Sequence, residues 1–132
     1  MAFNAEAGIG YRLWMRGTAT SNHYANDSAY VQFDKAVSQT GLPVYRLGTT
    51  AATTYVLEDC SGCVLSGWGW QNNGYGTGVL GPLVYFATSG LQRIRVQVRE
   101  DGLGIDQIVL SPQTYLRLPP GGPKNDQTIL PR

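Results

Sequence analysis

Apolar and polar residues alternate along most of this chain with a period of two. At residues 11–16 the odd-numbered positions are apolar (Tyr11, Leu13, Met15) and the even-numbered ones are Arg12, Trp14 and Arg16. The same alternation recurs at residues 29–33 and 93–99, and no window of 11 residues carries the apolar stripe of a helix. Because successive side chains of a strand point to opposite faces, the pattern predicts β-strands.

Further strands are predicted at 44–47, 53–57, 64–68, 83–87 and 105–111. Clusters rich in Gly, Asn, Asp and Ser separate the strands. Short strands with such turns predict an all-β protein built as an antiparallel β-sandwich. Beyond residue 116 the alternation is lost and Pro and Gly accumulate. We therefore predict a module at 1–116, followed at 117–132 by a linker or a loosely docked extension.

Length and charge narrow the class of protein. A chain of 132 residues is one domain long. Ten basic residues nearly cancel nine acidic ones, so no electrostatic footprint indicates nucleic acid or an anionic membrane as a partner. The sequence contains no apolar run of membrane-spanning length. Few charges with many Gly, Asn, Gln and Tyr favour an extracellular protein that binds neutral, polar partners. We expect an exported module whose signal, if any, lies outside this sequence.

Two cysteines, Cys60 and Cys63, occur in the stretch EDCSGC. They are equally compatible with a small-loop disulfide and with two reduced thiols. A metal site would need two more ligands, and the single histidine, His23, is distant in sequence. The stretch does not open a helix after a strand, so redox catalysis is not favoured.

Catalytic patterns are weak throughout the sequence. A single histidine leaves little scope for a nucleophile–histidine arrangement, and no known catalytic motif occurs. The acidic residues occur in adjacent pairs or at strand ends, as acids that cap turns also do. We therefore expect no enzymatic activity.

The stretch GWGWQNNGYG, residues 67–76, is the strongest candidate for a binding site. Sugars have apolar C–H faces and hydroxyl rims, so a site for them needs exposed rings and hydrogen-bonding amides. The stretch supplies the rings of Trp68, Trp70 and Tyr75 and the amides of Gln71, Asn72 and Asn73. Alternation puts the two tryptophans on one strand face, where either could belong to the core. We expect one tryptophan to be buried and at least one aromatic ring to be exposed.

Two other surfaces are candidates. The loop SNHYANDSAY offers Tyr24, Asn26 and Asp27, together with Asn22 and His23; its alternative interpretation is a solvated hairpin turn. The polar face of residues 93–99, which ends in Arg99, could bind an acidic polysaccharide. Residues 12, 14 and 16 would extend that face if the strands predicted at residues 11–16 and 93–99 were neighbours. Such a stripe is also typical of the solvated side of an outer strand.

The C-terminal half resembles a known family. The stretch VYFATSGLQRIRVQVREDGLGIDQIVLSP is similar to the closing hairpin of galactose-binding-like carbohydrate-binding modules of the family 6 and 35 type. The matching positions are Gly90, Ile94, Val96, Arg99, Glu100, Asp101, Gly102, Ile105, Asp106, Ile108 and Leu110. The early strands YRLWMRG and NDSAYVQFD also fit, so the resemblance covers residues 3–112.

The resemblance implies a non-catalytic jelly roll that binds a polysaccharide or oligosaccharide. It places the binding loops at Tyr24, Asn26 and Asp27 and at residues 68–75, and it implies a structural calcium ion with Asp106 among the ligands. One departure is that the acid-rich first strand of the family is expected to be missing. The resulting edge strand would be open to a homodimer or to tail residues. The competing hypothesis is an adhesion or structural module that docks another domain, or a second copy, through the same aromatic patch.

Overall fold

The computed structural model describes residues 1–131 and confirms an all-β protein. The strands are β1 (Ala2–Ala5), β2 (Arg12–Ala19), β3 (Ser28–Phe33), β4 (Ala36–Val37), β5 (Thr53–Val56), β6 (Gly69–Asn72), β7 (Tyr85–Phe86), β8 (Gly90–Val98) and β9 (Leu103–Ser111). Two 3-10 turns, Thr20–Asn22 and Tyr24–Asn26, join β2 to β3. The described part of the chain contains no helix with the length and hydropathy that a bilayer crossing requires.

The strands form antiparallel sheets, as the alternation predicts. A four-stranded sheet has the order β1-β8-β3-β5, a three-stranded sheet has the order β6-β2-β9, and β4 pairs with β7. This architecture is consistent with the predicted β-sandwich. The jelly-roll connectivity implied by the family resemblance stays a prediction.

The core lies between the two larger sheets. Leu13 and Met15 on β2 are fully buried, as are Val31 and Phe33 on β3. The ring of Phe33 meets that of Phe86 edge to face, with centroids 5.7 Å apart. Burial of these apolar side chains, at about 25 cal/mol per Å², is the main stabilising term. The odd-numbered positions of residues 11–16 therefore face the core, as predicted.

The even-numbered positions of β2 point away from this core but are also buried. Arg12, Trp14 and Arg16 are shielded from solvent because residues 115–131, which we call the C-terminal segment, lie across them. The indole Nε1 of Trp14 donates to the carbonyl of Tyr115 at 2.7 Å. Arg16 donates to the carbonyl of Asp126 at 2.8 Å and Gln107 to that of Leu130 at 2.8 Å, so residues 117–131 are also hydrogen-bonded to the sandwich. The division of the chain at residue 116 stays a prediction.

Two strand predictions are wrong, and two strands that could have formed one face are not neighbours. Residues 44–47 and 64–68 form no strand; Arg46 makes only an isolated bridge to Phe33, and its side chain donates to the carbonyls of Asp34 and Ala36 inside a compact turn. Residues before Tyr11 form β1, which pairs with β8; β1 carries no acidic residue, so the absence of the family's acid-rich first strand stays a prediction. Finally, β2 and β8 belong to different sheets, so residues 12–16 do not extend the arginine-rich face that ends in Arg99.

Candidate functional site

The stretch at residues 67–76 is only partly available to a ligand. Trp70 is 1% exposed, and Gln71 and Asn72 are buried with it. Their assignment as ligand contacts is a misplacement, because the C-terminal segment covers β6: Trp70 Nε1 donates to the carbonyl of Thr128 at 3.2 Å. Trp68 is half-buried, whereas Tyr75 is 53% exposed. The expectation of one buried tryptophan and at least one exposed ring is confirmed.

The two asparagines of this stretch hold a loop in shape. The Asn72 side-chain oxygen accepts from the N–H groups of Gly74 and Gly81 at 2.7 and 2.8 Å. The Asn73 amide donates to Thr53 Oγ1 at 3.2 Å and to the carbonyl of Pro82 at 3.1 Å. The Asn72 oxygen and the Asn73 nitrogen are therefore engaged within the protein, and the Asn73 oxygen is buried without a partner among residues 1–131, so the prediction that these amides bind sugar hydroxyls is not favoured.

A cleft of about 580 Å³ lies where the 20–26 loop meets the 58–65 loop. Its walls combine rings, polar groups and apolar side chains: Asn22, His23, Tyr24, Glu58, Ser61, Gly62, Cys63, Val64 and Leu65. Tyr24 is 64% exposed. Its ring stacks on that of His23, with centroids 4.5 Å apart and planes at 27°. Tyr75 does not line this cleft.

The 20–26 loop is held in an unusual conformation. Ser21 and Asn22 have φ values of 59° and 50°, a left-handed region that costs energy for residues other than glycine. The Asn22 side chain accepts from the N–H of Gly67 at 2.9 Å, and His23 Nδ1 accepts from the N–H of Ala25 at 3.2 Å. Through Asn22, this loop is connected to the residue next to Trp68.

The 58–65 loop is closed by a disulfide between Cys60 and Cys63, whose Cα atoms are 5.2 Å apart. The structure thus decides between the two alternatives for these cysteines. A side-chain oxygen of Glu58 accepts from the N–H of Gly62 at 2.9 Å. A short covalent ring and an internal hydrogen bond therefore shape this wall of the cleft.

A polar cluster lies next to the 58–65 loop, where β3 begins and just beyond the end of β8. Glu100 Oε2 accepts from the N–H of Asp27 at 3.2 Å and from Ser28 Oγ at 2.8 Å. Asp27 is buried and accepts from the N–H of Glu58 at 2.8 Å. Arg99 donates to Ser28 Oγ at 3.3 Å. The cluster brings Asp27 and Arg99 together, but the buried Asp27 supports the loop and offers no surface to a ligand.

The pKa values of the two carboxyl groups in this cluster, those of Asp27 and Glu100, are shifted in opposite directions. Burial, together with the neighbouring Glu100, raises the pKa of Asp27 from 3.8 to about 6. Burial opposes ionisation of Glu100 as well, but hydrogen bonds from Ser28 and Asp27 and the charge of Arg99 outweigh it and lower the pKa of Glu100.

Asn26, the remaining predicted site residue of the 20–26 loop, donates to the carbonyl of Thr20 at 3.0 Å.

Asp106 pairs with an arginine. Its carboxylate forms an ion pair with Arg16, and the Arg16 guanidinium lies 4.8 Å from the ring centre of Trp68. Calcium takes six to eight oxygen ligands, usually including several carboxylates. Within residues 1–131, Asp106 belongs to no cluster of three or more metal-ligating side chains. This surrounding does not fit the implied calcium ion.

Residues 58–65, which form one wall of the cleft, were not among the ligand-binding residues predicted from the sequence. The available signal was the stretch EDCSGC, which combines two acidic residues, two cysteines and a glycine in six positions. What the alternation could not show is that this stretch faces the 20–26 loop. No protein-family model, curated protein or solved structure matches this chain.

Proposed function

We propose that this protein is a non-catalytic carbohydrate-binding module whose site is the cleft between the 20–26 and 58–65 loops. The observation that carries the proposal is the exposed, stacked pair of His23 and Tyr24 on the cleft wall. Aromatic faces of this kind bind the C–H face of a sugar ring. A second cleft, of about 550 Å³, lies beside β4 and β7. It is the less favoured site because, within the described part of the chain, its lining contains no carboxylate to accept hydrogen bonds from sugar hydroxyls.

Polar groups around the stacked rings suit the hydroxyl rim of a sugar. Asn22, Glu58 and Ser61 line the same cleft. Internal hydrogen bonds engage Asn22 Oδ1 and Glu58 Oε1, so the Asn22 amide nitrogen, the second Glu58 oxygen and the Ser61 hydroxyl are the groups offered to a ligand, and a carboxylate is a strong acceptor for hydroxyl groups. Neither lysine nor arginine lines the cleft. A neutral hexose or pentose chain is therefore a better ligand here than an acidic polysaccharide.

Binding without turnover is the simpler function for this cleft. Glycoside hydrolysis generally requires two carboxyl groups flanking the bond that is cleaved. Glu58 is the single carboxylate in the lining. Since few rings stack and the hydroxyls exchange their bonds with water, we expect weak affinity, about 10–1000 μM per site.

An exported location fits this function. A disulfide such as Cys60–Cys63 is compatible with an oxidising extracellular environment. We propose a secreted protein or a module of one. A structural calcium ion is not part of this proposal, because the surroundings of Asp106 do not favour it. A homodimer through an open sheet edge, such as the outer edge of β9, stays a prediction.

The same patch also supports the competing hypothesis of an adhesion or structural module. Val64 is 74% exposed on the cleft wall, and an exposed apolar side chain beside aromatic rings is typical of protein interfaces. In this case the cleft would dock another domain or a second copy. Sedimentation at rising concentration tests docking of a second copy, which predicts an oligomer in which Tyr24 is buried. Docking of another domain predicts instead that the folded protein binds none of the polysaccharides in the panel.

The direct test compares two exposed tyrosines. We expect Tyr24→Ala to weaken binding to neutral polysaccharides at least about tenfold in affinity electrophoresis, because the stacking face is lost. Tyr75→Ala, which removes a similarly exposed ring outside the cleft, is the matched control and should leave binding unchanged. Unretarded migration of the folded wild-type protein across a panel of neutral and uronate polysaccharides would refute the sugar assignment.

A further inference from the structure

The outer face of the β6-β2-β9 sheet presents a row of hydrogen-bond donors. Paired positions across the three strands put Arg12, Trp14, Arg16, Trp70 and Gln107 on this side. Each of these side chains donates a hydrogen bond to a main-chain carbonyl of the C-terminal segment. We call this surface the donor face.

These bonds follow the segment from one end to the other. Arg12 Nε reaches the carbonyl of Leu116 at 3.0 Å, and Arg16 reaches that of Asp126 at 2.8 Å. The Gln107 amide donates to the carbonyl of Leu130 at 2.8 Å and accepts from its N–H at 2.9 Å. The sheet therefore recognises the peptide backbone along most of the segment.

The segment itself behaves as a bound peptide more than as part of the core. It contains no regular strand or helix, and its prolines, at positions 119, 120, 123 and 131, restrict its backbone. Between them the Gly122 N–H donates to Asp126 Oδ2 at 2.7 Å and closes a turn. Of its large apolar side chains, Leu118 and Ile129 remain exposed, while Tyr115, Leu116 and Leu130 are half-buried. None of them is fully buried, so hydrogen bonds to the main chain contribute much of what holds the segment.

Space remains beside the segment. A groove of about 330 Å³ is lined by Trp14 and Trp70 on the sheet side and by Leu118, Pro119 and Pro123 on the segment side. Indole N–H donors and aromatic walls that receive an extended, proline-containing chain are the elements by which several domains bind proline-rich peptides. The donor face has the same elements, occupied within one molecule.

We propose that the donor face is a peptide-binding groove, and that the C-terminal segment of a second copy of this chain can occupy it in place of the chain's own segment. Every copy carries a segment that matches the groove. The connection from β9 to the segment is short and exposed at residues 112–114, a position where small changes of backbone angle redirect the chain. Exchange of an identical element between copies is a low-cost route to association.

The test uses a full-length chain with a specific protease site inserted between Pro112 and Gln113. Circular dichroism first establishes that the uncut protein is folded. After cutting, isotopically heavy and light preparations are mixed under native conditions and followed by native mass spectrometry. We expect the cut segment to stay bound at micromolar concentration, and hybrids of heavy body and light segment to form within hours.

The variants make the result specific to the donor face. Trp70→Phe keeps an aromatic ring but removes the indole donor, so dissociation of the cut segment should accelerate about five- to tenfold. Tyr30→Phe, on the other sheet, is the matched control and should not change it. Immediate loss of the segment from a folded body would overturn the proposal. Hybrids that form only after denaturation would also overturn it, since the segment would then be an integral part of the fold.

Discussion

The buried carboxyl group of Asp27 accepts a hydrogen bond of 2.8 Å from the main-chain N–H of Glu58. This bond connects the start of β3 to the first residue of the disulfide-closed loop. Glu58 in turn lines the cleft and holds Gly62 with its side chain. The position of one cleft wall therefore depends on a carboxyl group that no ligand reaches.

The stability of the protein should fall as pH rises from about 4 to about 6. The pKa of Asp27 is about 6 in the folded state, against an ordinary value of 3.8. Between these values the folded state binds more protons than the unfolded state, so raising the pH favours unfolding. At roughly 1.4 kcal/mol per pKa unit, the loss is at most about 3 kcal/mol. Chemical denaturation across this pH range measures it.

The variant Asp27→Asn is the control for this pH dependence. Its amide oxygen can still accept from Glu58, but it has no proton to lose. We expect the decline in unfolding free energy between pH 4 and 6 to disappear. Glu100, whose pKa is lowered, contributes with the opposite sign, adding stability as pH rises towards its ordinary value. A decline that persists unchanged in Asp27→Asn would assign the effect to another group.

Reduction of the Cys60–Cys63 disulfide should loosen the cleft more than the fold. The loop it closes is only four residues long, so the loss of unfolding free energy should be about 2 kcal/mol. Hydrogen exchange should rise at residues 58–65 and stay unchanged in β2 and β3. Reduction of the disulfide should also lower the affinity for sugar. The double variant with serine at both positions should reproduce the reduced protein, and undiminished binding by that variant would contradict a role for this wall.

An added methyl group at Gly69 should displace the C-terminal segment. A Cβ at this position would overlap the main-chain carbonyl of Pro123. We expect Gly69→Ala to cost about 1–3 kcal/mol of unfolding free energy and to red-shift the tryptophan fluorescence as Trp70 becomes solvated. Gly122→Ala is the matched control, because its added Cβ meets nothing closer than 3.5 Å. Equal effects of the two substitutions would speak against steric displacement.

Removal of the Asp106 carboxylate should destabilise the protein without changing its response to calcium. Arg16 is buried and stacks on Trp68. Asp106→Asn therefore leaves the positive charge of Arg16 shielded from solvent and without the negative charge that is paired with it in the wild type. Because Asp106 is about a third exposed, solvent limits the cost to about 1–2 kcal/mol. We expect thermal unfolding of both proteins to be insensitive to calcium and to chelators. Stabilisation of the wild type alone by calcium would reinstate Asp106 as a ligand.

The sequence predicted the local structure well where one face of a strand meets the core. Leu13 and Met15 are buried, because the apolar positions of the alternation in β2 are the ones that face the core. The sequence could not tell which of the two tryptophans is the buried one, and the choice of Trp70 as a ligand contact does not fit its burial, because the opposite side of the sheet is also covered. A period of two is identical for a solvated face and for a face beneath a segment without regular structure.

The amino-acid sequence by itself determined that this chain is an all-β protein of antiparallel strands, since the period of side-chain direction is a local property of the backbone. Only the tertiary structure decided which aromatic rings remain exposed. Tyr24 is exposed beside the 58–65 loop, whereas Trp70 is buried under residues that follow it by more than fifty positions. Exposure is decided by contacts between distant parts of the chain, and no local pattern records them.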